Sequence, residues 1–242
     1  MIVLFTDFGL AGPYLGQMKA VLHRLAPAVP VVDLFADAPA RDPRAAAYLL
    51  AAYAAWFPAG TVFLAVVDPG VGGERAALVV EADGCRYVGP DNGLFELVRR
   101  RARATSVAEI TWRPAALSAS FHGRDLFAPV AARLAAGEAS QAEERPSDFG
   151  RRRDWPDDLA EIVYIDHYGN ALTGLRAALL PANARLVVGD QHFRRARTFS
   201  DVAAGQALWY ENSNGLAEIA VNLGRADVAL GLGIGSRIGI ES

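Results

Sequence analysis

The sequence predicts a two-part α/β protein: a mostly parallel α/β sandwich domain first, then a smaller all-β domain. Three observations carry this. Short apolar runs alternate with helix-spaced segments through the first half of the chain, the pattern of a parallel sheet covered on both faces. The composition turns polar, charged and proline-containing over residues 137–161, as expected of an interdomain connection. Beyond it, short strand candidates are separated by the turn pairs Gly169-Asn170, Gly189-Asp190 and Asn214-Gly215, which suits a small barrel or sandwich. The expected partition is 1–145, a linker over 146–161, and 162–242.

The elements follow in order. Residues 2–6 form an apolar run typical of a buried parallel strand. Leu15, Met18, Val21, Leu22 and Leu25 recur at helical spacing and predict a helix over 14–25. A second strand is expected over 29–34. From Ala45 to Val67 there is no charge, a length that in principle spans a bilayer. Pro58-Ala59-Gly60 interrupts it, because proline lacks a donor and glycine favours a turn. The stretch therefore reads as a buried helix over 44–56 and a strand over 61–67. Strands over 76–81 and 86–89 flank Asp83-Gly84, a hairpin signal. Helices are expected over 94–101 and 127–136. In the second part, strands are expected over 162–165, 185–188, 206–210, 217–221 and 237–240.

Composition narrows the function classes. A hydrophobic fraction of 52% excludes a disordered chain. A formal net charge of −3 argues against a nucleic-acid partner, which favours a basic surface. The single cysteine, Cys85, excludes an internal disulfide and a multi-cysteine zinc cage. The opening MIVLFTD has neither a basic leader nor a long apolar segment, so the expected location is cytoplasmic. No GxxxxGK[ST], strand-linked GxGxxG or HExxH occurs, so phosphate cradling and zinc-protease chemistry have no support.

Six polar clusters remain, most of them directly after predicted strands, at the sheet edge where ligands bind. In Thr6-Asp7-Phe8-Gly9, Asp7 could accept hydrogen bonds from a ribose diol or serve as a turn or capping residue. In the run from Asp68 to Arg75, Pro69-Gly70 is turn chemistry, but Arg75 returns seven residues later, within reach of Asp68 if the loop folds back. A bidentate pair would hold Asp68 as a fixed carboxylate. Gly89-Pro90-Asp91-Asn92-Gly93 reads as a structural turn into a helix. His122 sits beside Gly123, Arg124 and Asp125, a more polar setting than a packed histidine needs. In Asp166-His167-Tyr168-Gly169-Asn170, a purine could stack on Tyr168 and hydrogen-bond to Asn170. Asn212-Ser213-Asn214-Gly215 could hold an amino-acid head group, though each of the last two also passes for a hairpin turn. Arg151-Arg152-Arg153 reads as part of a solvated linker with Asp154, Asp157 and Asp158 nearby.

Taken in order, TDFG at 6–9, PYLGQMK at 13–19, VVDPGVGGER at 66–75, GPDNGL at 89–94, FHGRDLFAP at 121–129, IDHYGN at 165–170 and NSNGLAEIAVN at 212–222 resemble the S-adenosyl-L-methionine hydroxide adenosyltransferases, relatives of the S-adenosylmethionine-dependent fluorinases and chlorinases. The resemblance implies an N-terminal α/β domain, a C-terminal β-barrel and a homotrimer. It places S-adenosylmethionine between the N-domain of one subunit and the C-domain of the next. It carries a hydrolytic set onto Asp68, Arg75 and His122, a ribose contact onto Asp7, and adenine contacts onto Tyr168 and Asn170. Asp166 and Ser213 match positions near the methionine end, and Phe8, Phe121 and Asn214 are carried over as further substrate-binding positions. Three residues depart from the pattern: Tyr168 is more often Phe, Gly174 stands where relatives often carry Asn, and Asn214 stands where the fluorinases have an arginine.

The implied reaction is hydrolysis of S-adenosylmethionine to adenosine and L-methionine by water or hydroxide attack at C5′, with no metal and no cofactor beyond the substrate itself. Asp68 or His122 could accept the water proton, with Arg75 orienting Asp68. A halogenase of the same fold is a rival reading, disfavoured because a fixed carboxylate repels a halide. A non-catalytic nucleoside sensor with Asp68, Arg75 and His122 as a structural ion network is another.

Overall fold

A computed structural model describes residues 1–241. The chain divides into two compact units, Met1–Asp154 and Trp155–Ser242.

The first unit is built on a seven-stranded sheet. Its strands are β1 (Ile2–Thr6), β2 (Val31–Phe35), β3 (Val62–Val66), β4 (Ala77–Ala82), β5 (Cys85–Pro90), β6 (Thr105–Ile110) and β7 (Ala142–Glu144), in the order β2-β1-β3-β5-β4-β6-β7. The strands from β2 to β5 run parallel, and β4, β6 and β7 extend the sheet antiparallel. Asp83 and Gly84 both have positive φ, 47° and 82°, so the two residues between β4 and β5 make the primed turn that fits a right-twisted hairpin. Strand β6 was not expected: its TSVAEI alternates only loosely, and its place is set by pairing with β4.

Period-two alternation sends Ile2 and Leu4 to one sheet face and Val3 and Phe5 to the other. On the first face they pack with Met18 and Leu22 of α1 (Tyr14–Leu25) and with α4 (Ala128–Ala135). Aromatic pairs Phe5–Phe35, Phe35–Tyr53 and stacked Phe63–Tyr87 fill the other, beneath α2 (Pro43–Tyr53). Asp42 caps α2 by accepting from the Ala45 N–H, with Pro43 in the first turn, where it lacks no needed donor. The uncharged stretch breaks before Pro58 as expected, and no helix among the described residues is long and apolar enough to cross a membrane.

Of the three arginines expected to be solvated, Arg153 is exposed, whereas Arg151 and Arg152 are half-buried and paired. Arg151 clamps the carboxylate of Glu96, in α3 (Glu96–Arg101), at 2.9 Å through two nitrogens, and the Arg152 N–H adds a third contact. Arg99 donates to the carbonyls of Ser147 and Phe149, so the segment preceding residue 155 is stitched onto α3. Burial disfavours charge on Glu96, but the donors from Arg151, Arg152 and Arg100 outweigh it and hold its pKa at about 2.

The second unit carries a four-stranded antiparallel sheet of β8 (Leu159–Ile165), β9 (Ala171–Arg176), β12 (Ala207–Glu211) and β13 (Leu216–Val221), in the order β12-β13-β9-β8. A three-stranded sheet holds β10 (Arg185–Val188), β11 (Gln191–Arg194) and β14 (Gly239–Glu241). Trp209, Leu186, Phe193, Ile219 and Ile238 form its core beside the short helix α5 (Ala226–Leu230). Strand β9 escaped prediction although five of its six residues are buried, because Thr173 and Gly174 interrupt its apolar run. At Gly174 a Cβ would meet the Leu159 Cβ at 2.6 Å, so any side chain there would require β8 to move.

Candidate active site

Asp7 and Asp68 lie just past the carboxyl ends of parallel strands β1 and β3, on the sheet edge where open α/β folds bind ligands. Asn92 links this edge to the next strand: its amide donates to the Val67 carbonyl at 2.8 Å while its oxygen accepts from the Leu94 N–H. The GPDNGL turn thus holds the segment that presents Asp68.

The loop after Asp68 folds back as its spacing predicts. Arg75 Nε donates to Asp68 Oδ1 at 2.7 Å, and a terminal guanidinium nitrogen contacts Oδ2, giving the bidentate fork. Gly72 makes the fold-back sterically feasible. Its φ is +80°, and a Cβ there would lie 2.3 Å from the Ala119 carbonyl oxygen, so only glycine lets the loop approach the segment leading to His122. The same guanidinium nitrogen lies 3.2 Å from His122 Nδ1, and the Phe127 ring lies beneath its cation at 5.3 Å. Both partners of the ion pair are buried, with side-chain exposures of 4% for Asp68 and 11% for Arg75.

Burial and then the Arg75 charge push the His122 pKa below the usual histidine range, so the ring is neutral at neutral pH. Because guanidinium only donates, Nδ1 must be the accepting nitrogen and the ring proton resides on Nε2.

Asp7, Phe8, Asp68, Phe121 and His122 line one cavity of about 80 Å³, together with Arg41 and Ser120. Phe8 and Phe121 pack edge-to-face at 5.7 Å. Asp7 Oδ2 accepts from the Arg41 N–H at 2.8 Å, and burial raises its pKa against that bond. His122 also borders a wider cavity of about 450 Å³, lined by Arg75, Arg113 and Ala119 among others. Arg41 was missed by sequence reasoning; its φ of 60° leaves no local sequence signal.

The candidates of the second unit form a separate network. The Asp166 carboxylate accepts from the Asn170 backbone N–H at 2.8 Å and from its amide at 3.1 Å, closing the loop between β8 and β9. Asn170 is buried, whereas Tyr168 at the loop tip is 72% exposed. Ser213 and Asn214 sit on the β12–β13 hairpin turn, where Asn214 Nδ2 lies 3.3 Å from Ser213 Oγ. Asn212 shapes that turn by accepting from the N–H groups of Asn214 and Leu216. Beneath both loops lies Glu218, unremarked in the sequence although an acid inside the apolar LAEIAV strand was a visible signal.

Fold and site together define a two-part protein with a carboxylate–guanidinium–imidazole set at the carboxyl edge of a parallel sheet and a polar loop network on a small β unit. The chain belongs to the SAM hydroxide adenosyltransferase family: the family's N-terminal domain matches residues 2–144 and its C-terminal domain residues 160–239. Relatives named (R)-S-adenosyl-L-methionine hydrolase include proteins of Salinispora tropica, 40% identical over 98% of this chain and 96% of theirs, and of Thermus thermophilus, 41% identical over 96% and 95%. A solved structure of an uncharacterized conserved protein from Thermotoga maritima is similar with a TM-score of 0.89, at 32% identity and full coverage of both chains.

Proposed function

We propose that this protein hydrolyses S-adenosyl-L-methionine to adenosine and L-methionine, by attack of water or hydroxide on C5′ with methionine leaving as a neutral thioether. The observation that carries the reading is that Asp68 and His122, joined through Arg75, stand on the wall of a cavity that also holds Asp7. Attack of hydroxide on a sulfonium yields neutral products, so charge disperses towards the transition state and exclusion of bulk water assists it.

Roles follow from the hydrogen bonds. Arg75 fixes Asp68, whose oxygens each keep a lone pair for a water. His122, with Nδ1 turned to Arg75, is the donor through Nε2 that orients this water. Asp68 is therefore the group that accepts the proton, and His122 is not. Phe8 and Phe121 give the cavity an apolar wall, and Asp7 is the ribose contact. The halogenase reading is weaker because Arg75, the cation a halide would seek, is already committed to Asp68.

A cavity of about 80 Å³ is well below the roughly 300 Å³ at which ligand sites begin. The remaining contacts fall on the second unit: Tyr168 and Asn170 for adenine, Asp166, Ser213 and Asn214 for the methionine end. The resemblance implies a homotrimer in which the first unit of one subunit and the second unit of another share each substrate, and this division of contacts fits it. A cytoplasmic setting is part of the same proposal. The names of the relatives add what the sequence motifs did not offer, a preference for the (R) configuration at sulfur, and the same preference is proposed here.

The deciding experiment incubates the protein with each sulfonium epimer in ¹⁸O-labelled water, with and without chloride. Adenosine labelled at the 5′ oxygen, formed faster from the (R) epimer, is expected. A chlorinated nucleoside would establish the halogenase, and unchanged substrate with measurable binding would establish a sensor. Mixing Asp7→Ala and Asn170→Ala proteins tests the shared site: subunit exchange should restore activity, and exchange without recovery would refute it.

A further inference from the structure

The loop that carries Tyr168 is closed from within by Asp166 and held from without by the start of α5. Tyr168 is 72% exposed, so burial does not order its ring. The carbonyls of the residues on either side of it are both engaged. Arg225 Nη1 donates to the His167 carbonyl at 2.9 Å, and the Asp227 backbone N–H donates to the Gly169 carbonyl at 3.0 Å. Arg225 is itself clamped: its Nε donates to Asp227 Oδ1 at 3.1 Å and its Nη2 to Oδ2 at 2.7 Å. Asp227 Oδ1 also accepts from the Val228 N–H at 2.8 Å, which ties the carboxylate to α5.

The loop docks closely on this pair. Gly169 has a φ of +84°, and a Cβ built on it would meet Asp227 Oδ1 at 2.5 Å and Arg225 Cβ at 2.8 Å, so any side chain there would push the loop away. The pair itself is partly open to solvent, with side-chain exposures of 49% for Arg225 and 20% for Asp227, and such ion pairs contribute little to the stability of a fold. Its geometry fixes one loop instead. The planar guanidinium points two donors at Asp227 and a third at the His167 carbonyl, so it sets where that peptide and the Tyr168 Cα that follows can lie.

We propose that Arg225, held by Asp227, is a positioning residue that presents the exposed Tyr168 ring as a pre-set stacking platform for the adenine. The inference rests on the reading that Tyr168 stacks on that base. Stacking on a ring that must first be ordered loses part of its gain to the side-chain and loop freedom given up on binding. A loop already fixed at both flanking carbonyls leaves only the ring's own rotation to order. The clasp therefore acts on substrate binding, equally in ground and transition states, and not on the chemical step.

The test measures kcat and KM for S-adenosylmethionine on the wild type, Arg225→Ala, Arg225→Lys, Asp227→Asn, Tyr168→Ala and the Arg225→Ala/Tyr168→Ala double variant. KM does not depend on the fraction of folded protein, so partial unfolding does not imitate the effect. Tyr168→Ala should raise KM by roughly 10-fold or more, as loss of a stacked base does. Arg225→Ala should raise KM by about 5-fold, with kcat within about twofold. Arg225→Lys restores the charge but not the fork, and Asp227→Asn loosens the clamp while keeping the N–H on Gly169; both should fall between wild type and Arg225→Ala. The double variant should bind no worse than Tyr168→Ala alone, because Arg225 acts through the ring. An unchanged KM in Arg225→Ala and Asp227→Asn, or two effects that multiply in the double variant, overturns the proposal and leaves the stacking reading standing. An unchanged KM in Tyr168→Ala overturns the stacking reading and the proposal with it.

Discussion

Two buried carboxylates, one in each unit, are stabilised in opposite ways. Asp68 is matched by a full charge, the fork of Arg75, whereas Glu218 accepts from neutral donors, the Tyr210 phenol and the Asn212 amide. Burial accordingly raises the Glu218 pKa in spite of its donors. A guanidinium fork fixes a carboxylate in place and leaves its outer lone pairs for a water, which serves chemistry. Neutral donors carry that order outward instead, here to the Tyr210 ring and to Asn212 in the β12–β13 turn.

The largest expected effect breaks the charged member. Asp68→Asn keeps the size but loses the proposed proton acceptor and the charge pairing with Arg75; kcat should fall by about 10²–10⁴-fold with substrate Kd little altered. Stopped-assay kinetics beside calorimetric binding check this, and a near-wild-type kcat would hand the base role to His122. In the second unit, Asn170→Ala should raise KM by roughly 10–100-fold with a small change in kcat, because the proposed adenine contact would be made in ground and transition states alike. If kcat falls and KM does not, the division between chemistry and recognition is wrong.

A third buried carboxylate sharpens the contrast. Glu96, held at a pKa of about 2 by donors that overcome its burial, lies below its unfolded value. Its stabilisation is complete above about pH 4.5 and is lost as pH falls from there towards 2. Urea midpoints should therefore decline over that window, and Glu96→Gln should be less stable at pH 7 with a shallower acid slope. The smallest effect is Tyr168→Phe: the exposed ring keeps its stacking face, and KM should stay within about twofold.

What the sequence disclosed follows physical range. Strand β1, helix α1 and the Asp83-Gly84 hairpin were legible because apolar period and turn chemistry are local. The Asp68–Arg75 pair was legible from a seven-residue return. The Arg151–Glu96 clamp, closed over 55 residues, was not, so Arg151 and Arg152 were read as solvated with their neighbours although they are paired against α3. Strand β6 was hidden because its order comes from β4 rather than from its own pattern. Of the candidate site, Asp7, Asp68, Arg75, His122, Tyr168 and Asn170 were singled out from polar clusters after strands and Phe8, Phe121 and Asn214 by resemblance, while Arg41 and Glu218 emerged only once the fold had brought partners to them.

Arg41 exposes a tension between folding and function. Its backbone sits at φ 60°, a conformation that costs a non-glycine residue about 1 kcal/mol or more. Glycine would supply the same N–H to Asp7 without that cost, so the backbone role alone does not call for arginine. The chain keeps a strained cation at the rim of a cavity whose proposed ligand is itself a cation, beside two acids that would otherwise attract any passing positive charge. An Arg41→Gly protein should melt higher and discriminate less among cations, the behaviour of a residue retained for selectivity at the expense of robustness.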